Sequence, residues 1–154
     1  MRPVDWFVST TTNKLDAKGR VSVPAQFRSV LAGQGSDGLY CIKALSRQPA
    51  LTGFGATLLS NLSTQMASPN PLLDKNYAAR AFGMFGQVRN LAIDDEGRVR
   101  LPDDFIAHCG ISERVAFLGL NEVFEIWNPD TLAIEAEKRM AEIHAAYDAS
   151  GATP

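Results

Sequence analysis

Alternating apolar and polar residues divide the chain into two similar series of elements joined by helices. Strand-like alternation recurs in short segments bounded by Gly, Pro, Asn and Asp, and other segments repeat apolar residues at helical spacing. The predicted strands cover residues 7–15, 20–23, 39–45, 50–54, 87–93, 114–120 and 123–127. The predicted helices cover residues 24–31, 57–66, 72–85, 102–109 and 129–147. This pattern predicts an α+β, mainly β fold with packed helices.

Two of these helices have apolar positions that we expect to pack. The second connecting helix carries Ala78, Ala79, Phe82 and Phe85 on or near one side. The last helix, with Asn128 or Asp130 as its cap, repeats the apolar residues Leu132, Ile134, Met140, Ile143 and Tyr147. Residues 148–154 are expected to form a disordered tail.

Both series contain the same nine-residue block. The first block is DAKGRVSVP at 16–24 and the second is DDEGRVRLP at 94–102, with Asp, Gly, Arg, Val and Pro in identical places. A Phe follows each Pro three residues later, at Phe27 and Phe105. Two such blocks in one chain predict an internal duplication.

Each block has the composition of a turn, a short strand and a helix start. Asp bonds backbone amides two residues on, and Gly allows a positive φ. The alternation after the first turn places Val21 and Val23 on one side and Arg20 and Ser22 on the other. Pro24 suits the first helical position, where its missing N–H is harmless.

Bulk composition is ordinary for a soluble globular protein. The chain has 154 residues, 45% of them hydrophobic and 21% charged, enough for one domain or two small halves that share a core. No run of about eighteen apolar residues is present, so no membrane span is expected. The N-terminal residues lack an apolar signal region, which favours a cytoplasmic protein.

Candidate catalytic chemistry is weak in this sequence. Cys41 and Cys109 lack metal-ligand spacing and are expected to be buried thiols. His108, expected to be partly buried, and His144, expected at the surface, have no nucleophile or metal partner at a meaningful spacing. The acids at 94–96 suit a solvated turn better than a calcium loop. We therefore expect no enzyme activity, no metal, no cofactor and no small-molecule substrate.

Charge is divided unequally along the chain although the net charge is only −2. Residues 1–93 contain ten Lys and Arg against four acids, and residues 94–154 contain five against thirteen. Such asymmetry is typical of a nucleic-acid face opposed to an acidic one. The simpler explanation, that acids solvate the last helix, leaves the acids of the second turn unexplained.

The first turn concentrates basic residues at the tip of a predicted two-stranded ribbon. Lys and Arg at such a tip can contact phosphates or enter a DNA groove, and Arg can pair with guanine. In the alternative interpretation, Arg20 and Arg98 bond the carboxylates of Asp16 and Asp94 and brace the turns, an alternative that is stronger for Arg98. The DNA-binding candidates are Lys14, Asp16, Lys18, Gly19, Arg20, Ser22, Arg28, Arg98 and Arg100.

The doubled block resembles the signature of the MraZ family. The resemblance rests on the first block with Phe27 and Arg28, on the second DxxGR at 94–98, and on the strand Phe124-Glu125-Ile126-Trp127 before the last helix. It covers roughly residues 7–147. It implies two AbrB-like (SpoVT-AbrB, swapped-hairpin) halves that form one pseudo-symmetric β-barrel. The halves then cover 7–55 and 87–128, connecting helices cover 56–86, and the C-terminal helix covers 129–147.

The resemblance also implies a function. MraZ proteins are bacterial transcriptional regulators that assemble into rings and act at direct repeats upstream of the division and cell-wall gene cluster containing their own gene. The implied partners are therefore double-stranded promoter DNA and further copies of this chain in an octamer-like ring, located in the cytoplasm at the nucleoid.

The family's DNA-binding DxKGR element carries over to Asp16, Lys18, Gly19 and Arg20. Glu96 replaces the Lys in the second block, and Asp103 and Asp104 add negative charge there, so we expect this block to bind DNA less strongly. A protein-interaction, antitoxin-like module that docks through the acidic last helix without binding DNA is the alternative function.

Overall fold

The structure is a computed structural model that describes residues 5–151. Its eight strands are β1 (Thr10–Lys14), β2 (Arg20–Ser22), β3 (Gly38–Lys43), β4 (Ala50–Phe54), β5 (Arg89–Ala92), β6 (Arg98–Arg100), β7 (Arg114–Leu120) and β8 (Val123–Trp127). Its five helices are α1 (Ala25–Gly33), α2 (Ala56–Met66), α3 (Tyr77–Met84), α4 (Asp103–Cys109) and α5 (Pro129–Ala149). The expected mainly β, α+β fold is confirmed. No helix within residues 5–151 is long and apolar enough to cross a membrane.

The strands form a six-stranded sheet in the order β1-β7-β8-β4-β3-β5 and a two-stranded ribbon of β2 and β6, both antiparallel throughout. The hairpins β3–β4 and β7–β8 meet at the centre of the large sheet. Strand β1 of the first half lies beside β7 of the second, and β5 of the second lies beside β3 of the first. The two halves therefore exchange their outer strands.

The large sheet is not closed into a barrel by its hydrogen-bond ladder. Its edges are β1 and β5, and the ribbon of β2 and β6 is a separate sheet. Leu15, the residue after β1, makes one isolated antiparallel bridge with Val21 of β2. The closed pseudo-symmetric barrel thus stays a prediction.

The core lies between the large sheet, the ribbon and helices α1 and α4. Its centre is a cluster of four buried aromatic rings contributed by both halves. Phe27 of α1 lies 5.3 Å from Phe7, 5.0 Å from Phe124 and 6.2 Å from Phe117, measured between ring centroids. These separations are favourable for edge-to-face and tilted packing. The Phe that follows each Pro is thus a core residue in both halves, since Phe105 is also buried.

Most predicted elements are present, and three have the predicted bounds. β4, β7 and β8 begin and end where the pattern placed them. β4, which the sequence indicated only weakly because of Gly53, lies in the middle of the sheet. A methyl group on Gly53 would collide with the ring of Phe124 on the neighbouring strand. The Gly is therefore needed for close packing and does not interrupt the strand.

The second connecting helix is shorter than predicted. It begins at Tyr77, whereas the apolar pattern placed its start at Leu72. The side chains of Asn70 and Asp74 accept hydrogen bonds from the backbone N–H groups of Leu72 (3.2 Å) and Asn76 (3.0 Å). Such local bonds compete with helix formation, so this segment forms turns.

The predicted apolar side of the last helix packs much less than expected. Among its apolar positions only Leu132 is buried, and the other four, Ile134, Met140, Ile143 and Tyr147, are exposed. Helices α2 and α3 have no buried residue at all. Asn128 is the cap of α5, because its side chain accepts from the N–H of Asp130 at 2.9 Å. The helix ends at Ala149, and residues 152–154 of the predicted tail lie outside the described residues.

Phe27→Ala should lower the free energy of unfolding by about 3–5 kcal/mol, because it empties the centre of the aromatic cluster. Chemical denaturation of the purified protein measures this change. Leu45→Ala is the control: Leu45 is 68% exposed in the turn after β3, and its truncation should change stability by no more than about 0.5 kcal/mol. Equal effects of the two substitutions would contradict the proposed core.

Candidate nucleic-acid interface

The first turn is built by the side chain of Asp16. Its Oδ1 accepts hydrogen bonds from the backbone N–H groups of Lys18 (2.9 Å) and Arg20 (2.8 Å), and its carbonyl accepts from Gly19 (3.0 Å). Gly19 has a φ of +80°, which favours Gly. The bond from the Arg20 N–H, with smaller contributions from its guanidinium and from Lys18, holds the pKa of Asp16 below its ordinary value against an opposing effect of desolvation.

The second turn repeats this geometry. Asp94 Oδ1 accepts from the backbone N–H groups of Glu96 and Arg98, both at 2.9 Å. Gly97 has a φ of +78° and donates to the carbonyl of Asp94 at 2.9 Å. The bond from the Arg98 N–H is the main cause that lowers the pKa of Asp94. The duplicated Asp and Gly therefore form the same turn in both halves, with Asp as the hydrogen-bond acceptor and Gly at the positive φ.

Both turn arginines bond the Asp of their own turn. Arg20 Nε lies 2.7 Å from Asp16 Oδ2, and Arg98 Nε lies 3.2 Å from Asp94 Oδ2. Arg98 Nη2 also lies 3.4 Å from Glu96 Oε2. The bracing interpretation thus holds for both residues. Arg20 uses only Nε for this pair, and its two terminal nitrogens make no hydrogen bond within residues 5–151. The ion pair therefore orients the Arg20 guanidinium and leaves those nitrogens available to a ligand.

Strands β2 and β6 bring the two blocks side by side. In their register Arg20 lies opposite Arg100, Val21 opposite Val99, and Ser22 opposite Arg98. The two valines are buried, and the other four residues lie on the opposite side of the strands. We call these four residues, Arg20, Ser22, Arg98 and Arg100, the ribbon face. Sequence analysis had placed all four among the candidates but had not placed them together.

Each turn is also held by the other half. The N–H of Leu101 donates to the carbonyl of Gly19 at 2.8 Å, and the N–H of Val23 donates to the carbonyl of Gly97 at 2.9 Å. Both glycines are therefore fixed at their own turn and across the ribbon. The signal that could have predicted this arrangement is the duplication itself, since equivalent strands of two related halves can pair about a pseudo-two-fold axis.

The remaining candidates lie at different places. Lys18 is exposed at the tip of the first turn, next to the ribbon face. Lys14 lies opposite Arg114 in the large sheet. It shares its side of β1 with Thr10 and Thr12, which line the groove beneath α5, whereas the Asn13 side chain, on the other side, donates to the carbonyl of Ser22. Lys14 therefore lies on the face of the large sheet that is turned away from the ribbon of β2 and β6.

Arg28 belongs spatially to the second turn, although the sequence places it close to the first. Its Nε donates to the carbonyl of Val23 at 3.1 Å. A methyl group placed on Gly97 would come within 2.8 Å of its Nη1. The guanidinium thus lies over the Gly of the second block.

Asp104, one of the two acids that follow the second block, is less available to a ligand than expected. Asp104 makes a bidentate pair with Arg89, at 2.8 and 2.9 Å, and lies 3.9 Å from Lys43. Arg89 also lies over the ring of Phe105, 4.8 Å from its centroid. The charge of Asp104 is therefore largely compensated, whereas Asp95, Glu96 and Asp103 are exposed.

The two cysteines and the two histidines lie where the sequence predicted them. Cys41 and Cys109 are both buried, and burial raises the pKa of Cys109 to about 12 and that of Cys41 further still. His108 is half-buried with Nε2 at 3.1 and 3.2 Å from the carbonyls of Gln48 and Ala50, and His144 is exposed. The contacts of His108 are therefore with the segment around β4 and not with the ribbon face.

Known proteins are similar to this chain in sequence over most of its length. The family described as "MraZ protein, putative antitoxin-like" matches residues 84–149. A protein of Xanthobacter autotrophicus named "Transcriptional regulator MraZ" is 42% identical over 154 residues, which are 98% of this chain and 97% of its own. Proteins of the same name from Azorhizobium caulinodans and Rhizobium meliloti are 41% and 38% identical, over 82% and 86% of this chain and 80% and 90% of their own.

The fold and the ribbon define a class of duplicated proteins in which two strand–turn–strand halves exchange strands and share one core. Within that class, the similarity to these relatives shows the family: the chain belongs to the MraZ family. The resemblance inferred from the two DxxGR blocks is thereby confirmed.

Gly97→Ala should destabilise the protein more than Gly19→Ala. Either substitution places Ala in a left-handed conformation, at a cost of about 1–2 kcal/mol. At Gly97 the methyl group must also displace Arg28, whereas at Gly19 the nearest atom is the Leu101 carbonyl oxygen at 3.5 Å. Thermal unfolding compares the two variants.

Gly33→Ala is the control, since a methyl group there meets no atom within 4 Å and should leave stability unchanged or slightly raise it. Equal losses at Gly19 and Gly97 would contradict the placement of Arg28 over the second turn.

Proposed function

We propose that this protein is a sequence-specific DNA-binding transcriptional regulator that binds DNA through the ribbon face. The observation that carries the proposal is the cross-strand pair of Arg20 and Arg100. Like charges directly opposite each other destabilise a sheet, and only Arg20 of this pair has an acidic partner among residues 5–151. A polyanion against this face would turn the repulsion into attraction.

The shape of the ribbon supports the same conclusion. A two-stranded ribbon fits the major groove of B-DNA, which is about 12 Å wide. Arg20 and Arg100 offer guanidinium donors and Ser22 offers a hydroxyl, and these groups bond phosphates or base edges. The buried valines below hold the strands against the core, so that the ribbon face is a preorganised surface.

The two blocks contribute unequally in this proposal. Lys18 adds a positive charge at the tip of the first turn, where the second turn has Glu96. Arg98 is engaged by both Asp94 and Glu96, which leaves it less available than Arg20. Lys14, on the far face of the large sheet, stays a predicted contact. Arg28, whose guanidinium lies over Gly97, stays a candidate, and the salt dependence of DNA binding by its variants decides whether it contacts DNA directly.

The names of the relatives support the regulatory role, since proteins up to 42% identical are called transcriptional regulators. We extend the proposal to the family's setting: promoter DNA with direct repeats upstream of the protein's own division and cell-wall gene cluster, bound in the cytoplasm at the nucleoid. A regulator of this kind needs no catalytic centre. The two halves, at 7–55 and 87–128, would then act as one pseudo-symmetric barrel closed by the ribbon.

We further propose that the protein assembles into a ring. Leu72, Leu73 and Phe82 are 94%, 77% and 67% exposed in and before α3, and the apolar residues of α5 are also exposed. Clusters of exposed apolar residues mark interaction surfaces. A ring would present one ribbon face per subunit, and several weak sites on one DNA with direct repeats would bind with a much higher combined affinity.

Arg20→Ala and Arg100→Ala should each weaken binding to the DNA upstream of the gene by roughly tenfold and lower the slope of log affinity against log salt by about one. Arg98→Ala should cost less, because Arg98 is already bonded to two acids. Gel shifts at several salt concentrations measure both quantities.

Arg47→Ala, at an exposed position in the turn between β3 and β4, is the control for loss of one positive charge. Unchanged affinity of Arg20→Ala at matched salt would reject the ribbon face as the site. A stable complex with another protein, without any gel shift by the wild type, would favour the antitoxin-like interaction module.

Phe82→Asp should reduce the mass in solution from an assembly to smaller species, because it places a charge on the exposed apolar surface of α3. Light scattering after size-exclusion chromatography measures the mass. Val8→Asp is the matched control, since Val8 is 44% exposed outside the helices. An unchanged mass for Phe82→Asp would place the contact elsewhere.

A further inference from the structure

Among the basic candidates, Arg28 bonds a backbone carbonyl of its own half with a guanidinium that covers a residue of the other half. Its Nε bonds the carbonyl of Val23 at 3.1 Å. The N–H of the same Val23 bonds the carbonyl of Gly97 at 2.9 Å. Arg28 therefore lies against both Val23 and Gly97, the two residues whose hydrogen bond joins the first half to the second turn.

The equivalent place in the other half shows what this position does. The second half covers Gly19 with Ile106, whose Cδ1 would lie 3.6 Å from a methyl group on that Gly. An apolar side chain cannot donate a hydrogen bond, yet Ile106 occupies the equivalent place over the first turn that Arg28 occupies over the second. Arg28 and Ile106 thus both pack over the turn Gly of the opposite half, which is a structural role.

We propose that Arg28 is a positioning residue that clamps the second turn and so sets Arg98 and Arg100 opposite Ser22 and Arg20. Gly97 is buried while Gly19 is half-exposed, which agrees with a closer cover on the second turn. The clamp places a positive charge beside a turn that contains three acids, Asp94, Asp95 and Glu96. It thus holds in place the turn whose own charges least favour an approaching polyanion.

The proposal rests on the proposed DNA binding for its consequence, but the clamp itself is a property of the free protein. A clamp needs the planar guanidinium, with Nε directed at the Val23 carbonyl and Nη1 over Gly97. Lys has a single terminal ammonium and cannot make both contacts. A phosphate contact, in contrast, needs mainly the positive charge, which Lys retains.

The test compares Arg28→Lys and Arg28→Ala in the full-length protein by hydrogen–deuterium exchange and mass spectrometry. We expect both variants to accelerate exchange in peptides covering 94–101 by several-fold and to leave 16–22 unchanged, because only the second turn loses its cover. Ile106→Ala is the matched reverse control and should accelerate exchange in 16–22 alone.

DNA binding supplies the second measurement. If Arg28 is a clamp, both variants weaken binding while the salt slope stays within about 0.3 of the wild-type value, because no phosphate contact is lost. The proposal is overturned if exchange at 94–101 stays normal, or if Arg28→Ala lowers the slope by about one while Arg28→Lys keeps wild-type affinity. If the wild type binds no DNA, the proposed function fails, and exchange alone decides whether Arg28 clamps the turn.

Discussion

The structure depends on the pairing of two strands that are each three residues long. β2 and β6 form a sheet only with each other, and a two-stranded ribbon is at best marginally stable by itself. It persists because Val21 and Val99 are buried beneath it and because each turn Gly accepts a hydrogen bond from the opposite half. Neither half can complete this element alone, so the duplication is a structural requirement of the fold.

This constraint also explains why basic residues converge. Strands that alternate inward valines with outward polar residues must place the outward residues of both blocks on one surface. The Asp of each turn then orients the Arg two positions beyond the tip, and it offsets part of the repulsion between Arg20 and Arg100. The ribbon face is consequently rigid, and its remaining positive charge is available to a ligand.

Local patterns predicted the elements whose signals are local. The bounds of β4, β7 and β8 followed from alternation between turn residues, and both turns followed from Asp and Gly. Helical periodicity was misleading in α5, where Met140, Ile143 and Tyr147 repeat at helical spacing but are exposed. An apolar stripe predicts that a surface becomes covered and does not say by what. The predicted start of α3 at Leu72 was wrong for a different reason. The side chains of Asn70 and Asp74 accept hydrogen bonds from nearby backbone N–H groups, and the segment forms turns.

The sequence by itself determined the turn geometry, the shared side of the valines and the basic character of the first block, because each depends on residues within about one turn or one strand of each other. It also determined the duplication, because the blocks at 16–24 and 94–102 have the same residues at the same spacing. Tertiary structure decided that Arg100 lies opposite Arg20, that Lys14 lies on the other sheet face, and that Arg28 covers Gly97. These relations join residues far apart in the chain. Their register is set by packing around the shared core, and no local pattern encodes it.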